Sequence, residues 1–212
     1  PEGFDNKAKE VLTRESLSIL GNCRNPNDDI HGPNSTGSVI GYVQSGKTTS
    51  FMSVASAALD NGYNFIIVLG GRNTPLYNQN SSEFEKNFEY AVDDNKAHVF
   101  SVDLPEGNLR DIDTLPLSSL EQDTSVVPAT PVIAVILKHQ DHIKRLTRLI
   151  KKNKHISQEM NTLIIDDEAD SASLNSLVND GDESSIYKEI RKLRDALPKH
   201  SLLQYTATPQ AL

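Results

Sequence analysis

The residues with the clearest chemical signal form a glycine-containing loop, GYVQSGKT, at positions 41–48. The glycines let successive backbone N–H groups turn toward an anion, and a following helix directs its positive end at the same point. Lys47 is predicted to reach the β- and γ-phosphates of a nucleotide, and the Thr48 hydroxyl to help hold Mg²⁺. The alternative is an accidental glycine turn, which the placement of the loop between a strand and a helix disfavours. The predicted nucleotide-binding residues are Gly41, Gln44, Ser45, Gly46, Lys47, Thr48 and Thr49.

A run of carboxylates later in the chain could supply the second half of this chemistry. An apolar stretch at 162–165 leads into Asp166, Asp167, Glu168, Ala169 and Asp170. A carboxylate at the end of a buried strand is where a phosphate-binding fold needs a further contact to Mg²⁺, and we assign Asp167 to it. Glu168 is predicted to orient and polarise the attacking water as a general base. The alternative is an acidic helix amino terminus favoured by the helix dipole alone.

Two hydroxyl residues near the end of the chain, Thr206 and Thr208, follow the last apolar run. Together with Asp170 they are predicted to couple the γ-phosphate to movement of a following domain. The alternative is that a threonine-rich strand only reflects good β propensity, and that Asp170 is structural.

These residues need a framework that brings strand ends together. Apolar runs at 39–43, 64–69, 98–102, 131–137, 162–165 and 201–205 are predicted to be strands, and most are continuous, as in strands buried on both faces. Helical patterns cover 6–20, 47–59 and 75–91, the segment around Ile143 to Ile150, and the segment around Ile186 to Leu197. The alternation predicts an α/β fold with helices on both sides of a mostly parallel sheet.

Composition narrows the class of protein. The 212 residues, 37% apolar, suffice for one domain with long polar loops, expected at 21–38 and 104–130. A single cysteine, Cys23, excludes an intrachain disulfide and a thiolate metal site and favours a reducing, cytoplasmic setting. No apolar run is long enough for a membrane span, so no membrane partner is expected. The net charge of −8 argues against a basic surface on all sides, but residues 138–154 form a local basic segment.

Read in chain order, the phosphate loop, the acidic run and the segment YTATP at 205–209 resemble three motifs of superfamily-two helicases and related DNA translocases. More closely, with GY at 62–63 and IIVL at 66–69, they look like the Z-one domain of large bacterial proteins, some linked to restriction or defence systems. The resemblance spans residues 38–210. It implies a three-layer, RecA-like P-loop NTPase lobe that uses ATP and Mg²⁺ for remodelling of, or movement along, nucleic acid.

The same resemblance suggests where nucleic acid, with DNA favoured over RNA, would lie. Helicases carry one strand-contacting motif where this chain has residues 73–79, but the arginine expected near Leu76 or Tyr77 is missing, so Arg72 and Gln79 are the candidates. A second region falls at Lys138 and His139, before a basic helix whose amino terminus could bind phosphate. The alternative is a solvated basic face. Related enzymes often recognise adenine in the loop before the first strand, here 21–38, although no base-reading residue stands out.

Helicase-type ATPases close ATP between two RecA-like lobes, and the second lobe supplies an arginine that stabilises the transition state. The chain is therefore expected to comprise a helix-and-loop extension at 1–37 and a first lobe at 38–212, as part of a longer protein. Two functions follow: a nucleic-acid-stimulated ATPase, or a nucleotide-switched binding module with little turnover. Nuclease chemistry is disfavoured because the nucleotide metal accounts for the clustered carboxylates.

Overall fold

A computed structural model of the chain describes residues 6–28, 33–41, 46–71, 74–89, 92, 97–101, 112, 115, 130–154, 159–169 and 185–207. The helices are α1 Asn6–Leu20, α2 Lys47–Asp60, α3 Thr74–Asn87, α4 Gln140–Lys152 and α5 Ser185–Asp195. The strands are β1 Ser35–Ile40, β2 Phe65–Gly70, β3 His98–Phe100, β4 Val132–Leu137, β5 Thr162–Asp166 and β6 His200–Thr206. None of the described helices is both long and apolar enough to cross a membrane.

The described strands form one sheet in the order β1-β6-β5-β2-β4-β3, and every pairing is parallel. The central strands β2 and β5 are buried along their whole length, which explains their continuous apolar sequences. This confirms the predicted α/β class with a parallel sheet. Because all strands run the same way, their carboxyl ends meet at one edge, called here the carboxyl edge, and their amino ends at the opposite amino edge.

The two faces of the sheet carry different helices, and alternate strand residues point to each. One core joins Ile66, Val68 and Ile165 to residues of α2 and α3, with Leu20 of α1. The other joins Ile67 and Ile164 to residues of α4 and α5. Right-handed crossovers produce this division, since the chain moves across the sheet in one direction from β1 to β3 and returns from β4 to β6. The result is three layers, α-β-α.

The first strand differs from the prediction. It spans Ser35–Ile40 instead of 39–43, so residues 35–37, assigned to the loop extension, belong to the sheet. It lies at the sheet edge, beside β6, and its residues alternate between half-buried and exposed. An edge strand of this kind lacks the continuous apolar run that marks the central strands, which is why its start was missed.

Candidate functional site

The loop GYVQSGKT crosses from β1 to α2 at the carboxyl edge. The Gly41 N–H donates to the Thr206 carbonyl at 3.0 Å, which ties the start of the loop to the end of β6. At the other end, Gly46 has φ 76°, a left-handed conformation that a residue with a side chain adopts at a cost. Between these two glycines, residues 42–45 lie outside the described part of the chain, so the predictions for Gln44 and Ser45 fall there.

The amino terminus of α2 is suited to an anion. The first helical hydrogen bond runs from the Ser50 N–H to the Gly46 carbonyl at 2.9 Å, so the N–H groups of Lys47, Thr48 and Thr49 precede it. Gly46 contributes no side-chain cap, and the first turn of α2 contains no acidic residue. These N–H groups and the helix dipole therefore face the loop, as the binding of a phosphate requires.

The acidic residues follow β5 at the same edge. Asp166 is fully buried and Asp167 nearly so. The Asp167 N–H donates to the Leu69 carbonyl at 3.1 Å, which anchors the turn beside β2. One oxygen of the Asp167 carboxylate accepts from the Asn80 side-chain amide at 3.1 Å, and the other from the Glu168 N–H at 3.0 Å. The carboxylate predicted to face Mg²⁺ is thus held in a defined direction.

Glu168 has an unusual backbone. Its φ is 51°, and among the described residues it is the only one other than glycine with a positive φ. This left-handed conformation costs about 1–2 kcal/mol for a residue with a Cβ atom, so its surroundings must hold it. The strained residue is the one that the sequence predicts to orient water.

The position of Lys138 differs from the prediction. The sequence placed it at a nucleic-acid contact, but its side chain is fully buried and forms an ion pair with Asp166, 2.9 Å from Nζ to Oδ1. The same ammonium donates to the carbonyl of Glu168 at 2.9 Å and to the carbonyl of Asp167. An ammonium with these partners in the protein interior does not reach a nucleic-acid strand on the surface.

The last strand lies between the two halves of the site. Since β6 separates β1 from β5, the phosphate loop and the acidic turn are two strand spacings apart, about 10 Å, enough for phosphates, a cation and a water molecule. Thr206 is buried at the end of β6. Beside it, the Tyr205 hydroxyl lies 3.5 Å from the Ser50 hydroxyl of α2, and burial raises the pKa of Tyr205 to about 12. The strand predicted to couple the site therefore contacts both the loop and α2.

Of the remaining predicted site residues, some are exposed in the structure and the others lie outside its described part. His139 is half-exposed at the amino-terminal cap of α4, where its Nδ1 accepts from the Asp141 N–H at 3.3 Å. Gln79 is exposed on α3 and donates to Glu83 at 3.0 Å. Both follow strands at the carboxyl edge and are open to a ligand. The residues outside the described part of the chain are Arg72, Asp170 and Thr208.

Sequence reasoning missed Asn80. It occupies the buried face of α3 with Tyr77, Ser81 and Phe84 and is 1% exposed. An amide on the buried face of a helix needs a hydrogen-bond partner, which was the available signal. Its partner, Asp167, is remote in sequence and could not be named from the pattern.

The loop at 21–38 was expected to recognise adenine, but its described residues 21–28 do not lie near the phosphate loop. The Arg24 N–H donates to the Ser35 and Ser201 hydroxyls at 3.2 and 2.8 Å, and the Tyr63 hydroxyl donates to the Arg24 carbonyl at 2.5 Å. Ser35 begins β1 and Ser201 lies near the start of β6, so residues 21–28 are at the amino edge. A strand of six residues separates them from the phosphate loop by about 20 Å. Adenine recognition at residues 21–28 is therefore not supported.

Comparison with solved structures gives the fold a name. The chain is similar to a nuclease-deletion mutant of the Type ISP restriction-modification enzyme LlaGI, in a complex with a DNA substrate mimic, with a TM-score of 0.59, 15% identity and 98% of this chain covered. The fold is that of a RecA-like lobe. At 15% identity, the similarity establishes the fold of this chain and not its function. No known family model matches the chain, and no curated protein matches it.

Two helicase structures resemble the RecA-like lobe more distantly. The helicase domain of Hef from Pyrococcus furiosus has a TM-score of 0.47, with 16% identity over 93% of this chain. The UvsW helicase of bacteriophage T4 has a TM-score of 0.47, with 10% identity over 94% of this chain. The chain spans 18% of the LlaGI chain, 34% of the Hef chain and 52% of the UvsW chain.

Proposed function

We propose that this chain is the first motor lobe of a nucleic-acid-stimulated ATPase and binds ATP with Mg²⁺ at the carboxyl edge. The observation that carries the proposal is the placement of a strained glutamate, Glu168, and a fixed carboxylate, Asp167, across β6 from an uncapped helix amino terminus that follows Gly46. The residue types fit the ligand, since Mg²⁺ binds through one or two protein oxygens together with substrate phosphates. Thr48 and Asp167 supply such oxygens.

Each residue of the site has a role in hydrolysis. The N–H groups at the start of α2 bind the phosphates, and Lys47 neutralises charge on the β- and γ-phosphates. Glu168 orients a water molecule for attack on the γ-phosphorus and accepts its proton, while the bridging oxygen leaves with ADP. Mg²⁺ supplies neutralisation of the phosphate charge. Thr206 and the segment after it carry the change in γ-phosphate contacts to the rest of the protein.

The proposed partner is nucleic acid, with DNA favoured over RNA. The exposed face of α4 carries four cationic residues, and none of them has an acidic partner among the described residues: Lys144, Arg148, Lys151 and Lys152. Arginine and lysine rows of this kind bind phosphate backbones without reading sequence. Arg72, Gln79 and His139 would add further contacts. LlaGI, which shares the fold, was solved with a DNA substrate mimic.

The proposal extends to the protein context. A RecA-like lobe of the helicase type requires a second lobe to close on ATP and contribute an arginine, and we place the chain from Ser35 onward, where β1 begins, in the first lobe. Membership of the Z-one family and a role in a bacterial restriction or defence system rest on the motif resemblance and on the fold shared with LlaGI.

The decisive experiment is ATP turnover by the protein expressed from its complete gene, with and without DNA and RNA. Glu168→Gln is expected to lower stimulated turnover about 10²–10⁴-fold while nucleotide binding is retained, because the amide cannot accept the proton. Glu10→Gln, an exposed glutamate of α1, is the matched control and should turn over like the unmodified protein. Tight binding without turnover under every condition would favour a nucleotide-switched binding module instead.

A further inference from the structure

A buried lysine lies where β4 passes into α4. The whole Lys138 residue is 1% exposed, and its backbone N–H donates to the carbonyls of Gly70 and Gly71 at 3.3 and 3.1 Å. These contacts place Lys138 against the end of β2, which separates β4 from β5 in the sheet. Its side chain reaches past the end of β2 to the acidic turn after β5.

Among the described residues, the ammonium group of Lys138 has three oxygen neighbours. They are the Asp166 carboxylate at 2.9 Å, the Glu168 carbonyl at 2.9 Å and the Asp167 carbonyl. The ammonium donates to the two carbonyls, and the Asp166 oxygen lies within ion-pair distance of it. The carboxylate neutralises the buried charge, and the other two bonds go to backbone carbonyls of the turn that contains the proposed catalytic residues.

The two carbonyls lie on either side of the Glu168 α-carbon. The Asp167 carbonyl belongs to the peptide plane before it and the Glu168 carbonyl to the plane after it, so holding both restricts φ and ψ of Glu168 together. The Asp167 carboxylate holds the first plane from its other side by accepting the Glu168 N–H at 3.0 Å. One ammonium and one carboxylate therefore maintain the left-handed backbone with φ 51°. The backbone in turn sets the direction of the Glu168 side chain.

We propose that Lys138 is a positioning residue for ATP hydrolysis: it fixes the backbone on both sides of Glu168 and thereby aims that carboxylate. The role rests on the proposed function of the carboxyl edge. It replaces the nucleic-acid contact that the sequence suggested for the same residue, and it requires no contact between Lys138 and any ligand.

The test separates positioning from simple stabilisation of the fold. Lys138→Met removes the ammonium but leaves Asp166 buried without its cation, so resistance to urea should fall. The double variant Lys138→Met/Asp166→Leu removes both charges and should regain much of that resistance. Turnover of ATP by the double variant should nevertheless stay about 10–100-fold below that of the unmodified protein, with nucleotide affinity measured without Mg²⁺ within about 3-fold, because the carbonyls of the turn have lost their donor.

One control variant and two contrary results complete the test. Lys9→Met, an exposed lysine of α1, should change neither turnover nor resistance to urea. A double variant that hydrolyses ATP within about 3-fold of the unmodified protein would overturn the positioning role. So would a Lys138→Met variant that keeps full turnover at saturating nucleic acid but binds nucleic acid more weakly with a smaller salt dependence, since that pattern identifies a phosphate contact.

A protein without any turnover would contradict the proposed function and still leave Lys138 testable. The same ammonium holds the Asp167 carbonyl, so the gain in affinity for a non-hydrolysable ATP analogue on adding Mg²⁺ should be about 10-fold smaller in the double variant than in the unmodified protein. An equal gain in the two proteins would show that Lys138 does not organise the turn.

Discussion

The amide of Asn80 and the carboxylate of Asp167 are 87 residues apart in the chain and 3.1 Å apart in the structure. Their contact depends on Gly70 at the end of β2, because a Cβ atom there would lie 3.2 Å from the Asn80 amide nitrogen and 3.5 Å from its Cβ atom. A side chain at position 70 would require the Asn80 amide to shift by a few tenths of an ångström. At the scale of single residues, the candidate site thus depends on close packing between α3 and β2 as well as on its own carboxylates.

Replacing Asn80 should weaken the chemistry more than the fold. Asn80→Ala leaves one oxygen of Asp167 without its donor, so the direction of the carboxylate is no longer fixed. We expect turnover of ATP to fall about 10–100-fold and the free energy of unfolding to fall by about 1–3 kcal/mol. Steady-state kinetics at varied Mg²⁺ and urea unfolding measure the two effects.

The matched control for this prediction is on the same helix. Asn87→Ala removes an exposed amide that donates to the Glu83 carbonyl at 2.7 Å, away from the acidic turn. Its turnover should equal that of the unmodified protein. An Asn80→Ala variant that hydrolyses ATP equally well would show that the hydrogen bond to Asp167 has no catalytic importance.

At the scale of elements, α4 has two faces with different uses. Ile143, Leu146 and Ile150 are fully buried against the sheet and α5. Along their whole length, α4 and α5 together carry nine lysines and arginines against three carboxylates, in a chain whose net charge is −8. The excess of positive charge is therefore concentrated in the helical layer formed by α4 and α5. The layer formed by α1 to α3 has no such excess.

Charge reversal on α4 tests whether this layer binds nucleic acid. Arg148→Glu/Lys152→Glu should weaken binding to DNA by about 10-fold or more at low salt and make the salt dependence shallower by about two phosphate contacts. Both changes follow from losing cations that displace counterions from the phosphate backbone. Fluorescence anisotropy with a labelled oligonucleotide at several salt concentrations measures them.

The control for charge reversal uses the opposite layer. Lys7→Glu/Lys9→Glu changes the net charge by the same amount on exposed positions of α1. If the two double variants bind DNA equally, the cations of α4 are a solvated face, as the alternative interpretation of the sequence holds. Weaker binding by the α4 variant alone would locate the contact.

At the scale of the whole molecule, the two edges of the sheet differ in character. The carboxyl edge contains the strained acidic turn, whereas the amino edge is closed by hydrogen bonds within the protein. His200, which begins β6, is 4% exposed. Its Nε2 accepts from Arg194 Nε at 3.1 Å, so Nδ1 carries the proton and donates to the Leu197 carbonyl at 2.6 Å. The neutral ring satisfies both neighbours.

Acid should destabilise the fold through this histidine. Burial lowers the pKa of His200 below its usual 6.5, an effect that the Leu197 carbonyl opposes and Arg194 reinforces. Below pH 6.5 the unfolded chain therefore binds a proton that the folded chain resists, and stability falls as the pH falls. The expected slope from His200 is up to about 1.4 kcal/mol per pH unit, ending where the folded group itself titrates.

Urea unfolding between pH 5 and 7.5 measures this slope. His200→Gln keeps one donor and one acceptor without titrating, so its free energy of unfolding should depend less on pH than that of the unmodified protein. Burial also lowers the pKa of His142, which will leave part of the dependence in place. Identical pH profiles for the two proteins would rule out the contribution of His200.

The sequence by itself determined most of the elements and the two halves of the candidate site. Continuous apolar runs predict β2, β4, β5 and β6, because strands buried on both faces bury every residue. Helical spacing predicts the bounds of α1 and α2 to within a few residues and one buried face of α4. The phosphate loop and the acidic run are also readable, since their chemistry depends on residue types at consecutive positions. These are local patterns, and a local pattern can be recognised in the sequence without knowledge of the fold.

Only the tertiary structure decided how those pieces meet. Strand order places β6 between the loop and the acidic turn. Residues 21–28 lie at the amino edge. Lys138 and Asn80, from separate elements, contact the turn that contains Asp167 and Glu168. Nothing in the spacing of Lys138 distinguishes a buried ammonium from one on the surface. Pairings of this kind depend on packing between distant segments, and packing is a property of the whole chain in three dimensions.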